Sequence, residues 1–335
     1  MRAYHLDLST VGALAVRRHE VPTPGAGEVL VRVGATALNY RDLLLREGRY
    51  PVPARPGVIP LSDGAGTVVA AGDGVDRVRV GDRVCSTYFP DHVDGPPVRS
   101  MMARQLGASE DGMLAEYRVL PASWLVRIPD SVTVQDAATL PCAGLTAWSA
   151  LHGPRPVAVG QTVLVLGTGG VALAAVQLAV ALGARVVGAT SGEAKVELLR
   201  RLGATHVIDY QARRDWHTEL LELTDGRGVE HVVETVGPAT LERSIRSTAF
   251  DGHIAMIGVF DGPDVRFDPR VFQGRLLTIR RIAVGSRAGL EALLGFVAER
   301  DVRPVIDRVF EFEAAVEAYG YVAARRHVGK VLITC

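Results

Sequence analysis

The chain has 335 residues, and its 37 lysines and arginines balance 37 aspartates and glutamates. This length allows two domains whose cores need no disulfide or metal, and an ordinary apolar fraction excludes disordered and fibrous proteins. A formal net charge of zero gives no electrostatic reason to expect a nucleic acid or a membrane surface as partner, so we expect a small-molecule ligand.

The sequence contains no recognisable targeting segment or paired-cysteine motif. No apolar stretch resembling a signal peptide begins it, and the longest apolar run, residues 171–182, is too short to cross a bilayer. Cys85, Cys142 and Cys335 lie far apart and predict neither a disulfide framework nor a structural zinc site. We therefore expect a cytoplasmic protein that binds no membrane.

The first third of the chain predicts short β-strands. Residues 29–33 (VLVRV) alternate around a polar residue, residues 66–71 (GTVVAA) form a second strand, and the turn at residues 81–83 leads into a third. Short strands separated by turn signals predict a small barrel-like β domain. Residues 89–112 lack periodicity and predict a long loop, and such loops are often functional.

From residue 129 onward, helices and strands alternate. Residues 132–151 have a helical pattern that Pro141 interrupts. The predicted strands are residues 162–166, 185–189, 206–208, 231–234, 253–257 and 276–284, and the predicted helices are residues 170–182, 193–202 and 240–247. This alternation, with strands apolar on both faces, predicts a doubly wound parallel sheet. Helices at 288–299 and 313–324 and a strand at 330–334 are expected to return to the first domain, which predicts boundaries of 1–128, 129–288 and 289–335.

The strongest functional motif joins the strand at residues 162–166 to the helix after it. Gly167 permits a tight turn, Gly169 lets the backbone approach a pyrophosphate, and Ala172 lets the helix pack close to the strand. A diphosphate can then bind the free N–H groups and the positive end of the helix. The predicted contacts are Gly167, Thr168, Gly169, Gly170 and Val171. The alternative is a glycine turn that packs a helix without any ligand.

The end of the second strand indicates which dinucleotide binds. An NAD site places a carboxylate there for the ribose 2′-hydroxyl, whereas this strand ends in Thr190 and Ser191 and is followed by Lys195. Hydroxyls, free N–H groups and a lysine suit a 2′-phosphate, so NADPH is favoured over NADH. Glu193 argues against this choice, and the alternative is that Ser191 caps the helix while Lys195 lies on its solvated face.

Several motifs resemble the medium-chain dehydrogenase/reductase superfamily, in particular its zinc-lacking quinone oxidoreductase-like branch. They are LNYRD at residues 38–42, GRYP at 48–51, PLSDGAG at 60–66, LPCAGLTAW at 140–148, the Gly167 turn and GKV at 329–331. The resemblance covers nearly the whole chain. It implies a GroES-like β domain, a Rossmann domain with a doubly wound parallel sheet, and an active site in the cleft between them.

The resemblance also predicts a centre without metal. Zinc-dependent relatives bind catalytic zinc through a Cys, a His and a Cys at the positions matching Asn39, Ser62 and Cys142, and this chain keeps only Cys142. Neither an amide nor a serine hydroxyl replaces those ligands usefully, and residues 90–112 stand where those relatives carry a four-cysteine lobe. Without a Lewis acid to stabilise an alkoxide, hydride transfer to the C=C bond of an enone or quinone is favoured over alcohol oxidation.

The resemblance supplies the expected site residues. Asn39 is expected to make a polar contact with nicotinamide and substrate, and Tyr40 and Tyr50 are expected to position substrate or donate a proton, with aromatic packing as their alternative role. For Arg41 and Asp42 of the same motif, the alternative to a role in the site is a structural ion pair. The predicted cofactor contacts beyond the glycine turn are Thr146, Thr190, Ser191, Lys195, Tyr210, Val236, Ile257, Gly258, Val259, Val284, Gly285, Ser286, Arg287 and Lys330. Cys142 is expected to be a packing thiol.

Two other functions stay open at this point: a ketone or alcohol oxidoreductase that works without zinc, and a non-catalytic NADPH-binding protein. The expected partner is a small conjugated carbonyl compound, and the loop at residues 88–112, with Met101, Met102 and Met113 near its ends, could shape an apolar pocket for it. Relatives commonly form homodimers by joining sheet edges. The strand at residues 276–284 could serve in this way, or Arg280 and Arg281 could protect that edge.

Overall fold

This computed structural model describes residues 1–7, 13–258 and 268–335. Internal contacts divide the chain into a β unit, Met1–Leu145 with Val284–Cys335, and an α/β unit, Thr146–Ala283. The predicted boundaries follow residues 128 and 288, whereas these units divide after Leu145 and Ala283, in part because the helix Val134–Ala138 packs on strands of the β unit.

The β unit is built around one long strand that has three partners. The elements before residue 146 are β1 (Arg2–Asp7), β2 (Ala13–Arg18), β3 (Glu28–Leu38), α1 (Tyr40–Arg46), β4 (Asp63–Ala71), β5 (Arg83–Ser86), β6 (Tyr117–Pro121), β7 (Leu125–Arg127) and α2 (Val134–Ala138). Antiparallel ladders join β3 to both β4 and β6, while β1 and β2 form a separate hairpin sheet. Val29, Val31 and Val33 of β3 point into the core, as their alternation with exposed residues predicted.

A parallel sheet forms the centre of the α/β unit. Its elements are α3 (Leu145–Leu151), β8 (Thr162–Leu166), α4 (Gly170–Ala181), β9 (Arg185–Thr190), α5 (Glu193–Arg201), β10 (His206–Asp209), α6 (Trp216–Leu223), β11 (Val229–Glu234), α7 (Pro238–Ser247), β12 (Thr248–Met256) and β13 (Leu277–Arg281). All strand pairs are parallel, and the order is β10-β9-β8-β11-β12-β13. The order reverses between β8 and β11, which is where sheets of this kind bind ligands beyond the carboxyl ends of the strands.

The end of the chain returns to the β unit. It contributes α8 (Arg287–Glu299), β14 (Ile306–Phe310), α9 (Ala315–Ala323) and β15 (Lys330–Thr334), and β15 pairs antiparallel with β3. The predicted strand at residues 330–334 is thus confirmed. This pairing matters for function because it places Lys330 directly beside the end of β3.

Two irregular segments also match the sequence analysis. Pro141 lies in a π-helical turn, Leu140–Gly144, that separates α2 from α3, as the predicted interruption requires. The long loop contains a single 3₁₀ turn, Arg99–Ala103, among its described elements, and Met101 and Met113 at its ends are buried. No helix in the part of the chain that the structure describes is long and apolar enough to span a membrane.

Candidate active site

The glycine turn after β8 has the geometry that a pyrophosphate requires. Gly167 has a φ of 88°, a left-handed conformation that favours glycine. Gly169 is the N-cap of α4 in extended conformation, and a Cβ built on it would have no atom within 4 Å. The position beside Gly169, at the N-terminus of α4, is therefore free of described atoms, and the first N–H groups of a helix have no intrahelical partners.

The end of β9 joins three of the predicted cofactor residues. The Tyr210 hydroxyl donates to Ser191 Oγ over 3.3 Å, and the Tyr210 N–H donates to the Thr190 carbonyl over 3.0 Å. Gly192, with a φ of 83°, then begins α5. Lys195 lies in the first turn of α5, half-buried, and its ammonium has no ion-pair partner within residues 1–7, 13–258 and 268–335.

One carboxylate near this turn was missed from the sequence. Asp209 ends β10, and its Oδ2 accepts from the Gly192 N–H over 3.4 Å while Oδ1 accepts from the Gln211 N–H over 2.9 Å. It lies beside the end of β9 because β10 pairs with β9, with Asp209 opposite Thr190. Its only sequence signal was its place at the end of the third strand, whereas the usual rule inspects the second strand.

A buried carboxylate organises the turn after β11. Glu234 is fully buried, and its Oε1 accepts from the N–H groups of Val236 and Gly237 over 2.9 and 3.0 Å. Its Oε2 accepts from the Ser244 hydroxyl over 2.5 Å. Gly237 has a φ of 106°, and a Cβ there would lie 2.3 Å from the Gly258 carbonyl oxygen, so the turns after β11 and β12 approach closely. Glu234 was predicted only as a strand residue.

The remaining predicted cofactor residues fall in different places. Thr146 is buried in α3. Val236, which is exposed, follows β11, and Ile257 and Gly258 follow β12, as expected. Val259 lies outside the described residues.

The segment from residue 284 to residue 287 belongs to the β unit. Ser286 caps α8 by accepting from the Gly289 N–H, and Val284 just before Gly285 has a φ of 53°, which is strained for a β-branched residue. Arg287 was expected at a phosphate. In the structure it donates to the Ser123 carbonyl over 2.8 Å and lies 3.6 Å from Glu291, so its guanidinium has partners within the β unit.

In the β unit, Asn39 lies at the N-cap of α1 and is 8% exposed. The buried Lys330 ammonium donates to Asn39 Oδ1 over 2.6 Å and to the Leu38 carbonyl over 2.5 Å. Because an ammonium can only donate, the amide must present Oδ1 to Lys330. Asn39 Nδ2 is then left without a hydrogen-bond partner among the described residues. Lys330 was predicted as a phosphate contact, and its pairing with Asn39 depends on the β15–β3 ladder.

A second buried charge connects the positions that match the zinc ligands of relatives. Asp63 lies 3.9 Å from the Lys330 ammonium. Its Oδ1 accepts from the Ser62 hydroxyl over 2.7 Å, and its Oδ2 accepts from the Cys142 N–H over 3.2 Å. Asn39, Ser62 and Cys142 therefore meet around one Lys–Asp pair. Asp63 belongs to the motif at residues 60–66, but no role in the site was predicted for it.

The two predicted tyrosines have different surroundings. Tyr40 is exposed, and its hydroxyl accepts from the Arg325 guanidinium over 2.7 Å. Tyr50 is half-buried, and its hydroxyl lies 2.9 Å from that of Tyr88. The guanidinium of Arg41 lies over both of the latter rings, 5.3 Å from Tyr50 and 4.7 Å from Tyr88. The structure thus places Tyr50 in a buried polar cluster and Tyr40 in a surface contact.

Burial shifts the acid–base properties of this cluster. It raises the pKa of Asp42 from 3.8 to about 6, against the opposing effect of Arg41, whose Nη1 lies 3.9 Å from Asp42 Oδ1. Burial, aided by the charge of Asp63, also raises the pKa of Cys142, which favours a neutral thiol. In the part of the chain that is described, no three His, Cys, Asp or Glu side chains are placed to share a metal ion. The cluster can donate hydrogen bonds to a substrate oxygen.

Comparison with known proteins agrees with both units. Residues 25–130 match the family model of the alcohol dehydrogenase GroES-like domain, and residues 170–299 match that of the zinc-binding dehydrogenases. These matches and the sheet order confirm the predicted fold class, a GroES-like β domain with a doubly wound Rossmann sheet.

The chain is similar over its whole length to several curated proteins. It is 39% identical to a zinc-type alcohol dehydrogenase-like protein of Schizosaccharomyces pombe, covering 98% of this chain and 97% of that protein. It is 33% identical to a quinone oxidoreductase of Pseudomonas aeruginosa, covering 96% and 95%. It is 32% identical to an acryloyl-coenzyme A reductase of Metallosphaera sedula, covering 95% and 96%.

Solved structures show the same similarity. A candidate alcohol dehydrogenase from Sinorhizobium meliloti 1021 superposes with a TM-score of 0.94 at 38% identity, covering 100% of this chain and 98% of that one. A mycobacterial protein solved in complex with NADPH superposes with a TM-score of 0.81 at 30% identity and covers both chains fully.

Proposed function

Because this chain belongs to the medium-chain dehydrogenase/reductase superfamily, we propose that it is a reductase that uses NADPH, without zinc, to reduce the activated C=C bond of an enone or quinone. The observation that carries this proposal is the buried Asn39 amide, which Lys330 orients and whose Nδ2 is left for a ligand. Relatives named quinone oxidoreductase and acryloyl-coenzyme A reductase support the reaction class.

The residues of the α/β unit fit a bound NADPH. The open space at Gly169 and the free amides of α4 would hold the pyrophosphate. Thr190, Ser191 and Lys195 would hold the 2′-phosphate, and Tyr210 would flank the ribose. The mycobacterial relative solved with NADPH supports this choice. Asp209 and Glu193 oppose it, since a carboxylate near a phosphate is repulsive.

The residues of the β unit do not fit a zinc ion. Asn39 Oδ1 faces the Lys330 ammonium, and a divalent cation bound to that oxygen would be repelled by the lysine. The Ser62 hydroxyl donates a hydrogen bond to Asp63, and of the three residues only Cys142 offers a ligand that zinc prefers. We therefore derive no step through a metal.

The chain's own groups can stabilise the charge that develops in the reaction. When bound, NADPH supplies a hydride, which is added to the β-carbon of the conjugated substrate. The C=C electron pair then shifts toward the carbonyl oxygen, and Asn39 Nδ2 donates a hydrogen bond to that oxygen. Lys330 keeps the amide from turning and adds positive charge nearby. Tyr50, paired with Tyr88, is the proposed source of the proton that the α-carbon receives.

The proposal is tested by NADPH oxidation with a panel of enones and quinones and a matched panel of saturated ketones. We expect turnover with the conjugated compounds, and a kcat about 100-fold lower for Asn39→Ala with unchanged NADPH affinity, because one oxyanion donor is lost. Faster turnover of the saturated ketones would favour a ketone reductase. Binding of NADPH without turnover of any acceptor would favour a non-catalytic protein.

We also propose that the protein forms a homodimer through the β13 edge. Within the chain β13 pairs only with β12 among the described strands, and Phe250 and Leu276 beside this edge are 67% and 64% exposed. Sedimentation analysis of Leu276→Asp should then show a shift toward monomer. An unchanged mass would exclude this edge.

A further inference from the structure

Arg41 has hydrogen-bond donors that the described protein does not use. Its side chain is buried, with 5% exposure, and Nη1 donates to the Leu106 carbonyl over 2.8 Å. Nε and Nη2 have no hydrogen-bond partner among the described residues. These two nitrogen atoms share one edge of the guanidinium, the edge that binds a planar pair of oxygen atoms side-on.

Neighbouring groups occupy other parts of this guanidinium. Asp42 is the nearest carboxylate, but its Oδ1 lies 3.9 Å from Nη1, beyond hydrogen-bond distance, and its Oδ2 accepts from the Asn39 N–H over 2.8 Å. Tyr50 and Tyr88 contact Arg41 through their ring faces. The two N–H donors of the Nε–Nη2 edge are therefore buried and unpaired within the described residues.

A buried guanidinium with two unused donors is costly to the fold. Arginine stays charged in proteins, so burial removes its hydration and leaves the two N–H groups uncompensated. Such a group calls for an explanation, and a ligand that completes it supplies one. The ligand that matches two parallel N–H donors is an anion with two oxygen atoms in a plane, a carboxylate above all.

Two neighbours of Arg41 lie at the edge of this buried cluster. Tyr50 and Cys142 are only half-buried, so the cluster reaches the surface of the β unit on their side. Arg41 lies two residues after Asn39, whose amide is the proposed donor to the substrate oxygen.

We propose that Arg41 binds a carboxylate of the substrate through Nε and Nη2, so that the preferred acceptors are enones that carry a carboxylate group. This inference rests on the proposed function and adds the substrate class to it.

The test compares an acid with its neutral ester. The reactive probes are acetylacrylate and methyl acetylacrylate, and the non-reactive probes are levulinate and methyl levulinate, titrated into the full-length protein saturated with NADP⁺. At neutral pH we expect the wild type to prefer the acid of each pair, in kcat/KM and in affinity. In Arg41→Gln the acid-to-ester ratio should fall about 10-fold or more, since a charge-assisted bidentate contact is lost.

Two further variants keep the test decisive. Arg41→Gln with Asp42→Asn removes both buried charges, so it covers the case in which the single variant does not fold. Arg46→Gln removes an arginine from the same helix, one that lies over Tyr319, and should keep the wild-type ratio.

Three results would overturn the inference. The first is a wild type with no acid preference, and the second is an acid preference that survives in both Arg41 variants. The third is a loss of NADPH affinity in these variants with an unchanged acid-to-ester ratio, which would assign the anion to the cofactor. The two proposals fail separately. Turnover of neutral enones without levulinate preference rejects the carboxylate site alone, whereas levulinate preference without any enone turnover rejects the proposed reaction alone.

Discussion

At the scale of single residues, the β unit buries charged side chains that a protein core usually excludes. Arg41, Asp42, Asp63 and Lys330 are all 5% exposed or less. Two cations and two anions balance one another, and each makes at least one hydrogen bond or close ion contact. Buried charges of this kind are retained for specificity or chemistry more often than for stability. Each can therefore be replaced to measure its role.

Asp42 should give the β unit a measurable pH dependence. Burial raises its pKa to about 6, so the folded protein binds this proton more tightly than the unfolded chain, whose value is 3.8. Relative to Asp42→Asn, the wild type should gain stability as the pH falls from about 7 to about 4, by roughly 2–3 kcal/mol. Denaturant unfolding of both proteins across this range measures the difference. A difference that does not change with pH would show that Asp42 has the same pKa in the folded and unfolded states.

Lys195 should determine the choice of cofactor. Lys195 and Lys330 are the only lysines in the chain, and the others of its 37 lysines and arginines are all arginines. Lys195→Glu should weaken NADPH binding by about 10-fold or more and leave NADH binding nearly unchanged, since only NADPH carries the 2′-phosphate. Arg201→Glu makes the same charge change at the far end of α5 and should affect neither cofactor. Equal losses for both cofactors in Lys195→Glu would contradict the phosphate contact.

Single residues also show where prediction from sequence ends. Asn39 and Tyr50 were predicted from motifs and lie in the buried cluster. The pairing of Lys330 with Asn39 and that of Arg287 with Ser123 were not predictable, because each joins positions more than a hundred residues apart. Long-range partners of a charged side chain depend on strand pairing and loop closure, which local patterns do not encode.

At the scale of elements, a substitution in the turn between β8 and α4 should change cofactor binding without changing the stability of the fold. Gly169→Ala adds a methyl group with no protein atom within 4 Å at an ordinary φ of −77°, so the free energy of unfolding should change by less than about 0.5 kcal/mol. NADPH affinity should fall at least about 10-fold because the methyl group occupies the space proposed for the pyrophosphate. Gly295→Ala in α8 also meets open space and should leave NADPH affinity unchanged. Normal NADPH affinity in Gly169→Ala would exclude this turn as the phosphate site.

The strand pair β11–β12 should make the α/β unit sensitive to acid. His231 and His253 are paired across these strands and buried, and burial, with His253 adding to it, lowers the pKa of His231 from 6.5 to about 4. The unfolded chain therefore binds this proton more tightly, and stability is lost as the pH falls from about 6.5 toward 4. His231→Gln should reduce this loss by roughly 2–3 kcal/mol in denaturant unfolding. Equal acid sensitivity of the wild type and His231→Gln would contradict the lowered pKa of His231.

Helices and strands differed in how well their sequence patterns predicted them. Strands β8, β9 and β11 are mostly buried on both faces and were predicted within about two residues, a usual limit for element ends. Strands β1, β2, β6, β7 and β14 were not predicted; β2 and β14 have three exposed residues each, and β7 has only three residues. Short or exposed strands are held by their neighbours in the sheet, so their own sequences carry little periodicity.

At the scale of the whole molecule, each unit holds one half of the proposed chemistry. The α/β unit presents an open glycine turn and uncharged residues at the end of β9. The β unit presents the oriented Asn39 amide and the Arg41 edge. The family match concerns dehydrogenases described as zinc-binding, whereas Asn39 and Ser62 are already engaged by Lys330 and Asp63. In the proposed mechanism, fixed hydrogen-bond donors therefore replace a Lewis acid.

Metal analysis combined with turnover tests this claim most directly. The full-length protein is purified, its transition-metal content is measured, and NADPH-dependent enone reduction is assayed before and after treatment with a strong chelator. We predict far less than one metal ion per chain and the same kcat after chelation, because Asn39 and Lys330 supply the stabilisation. One zinc ion per chain, with activity lost on its removal and restored on its return, would contradict the account.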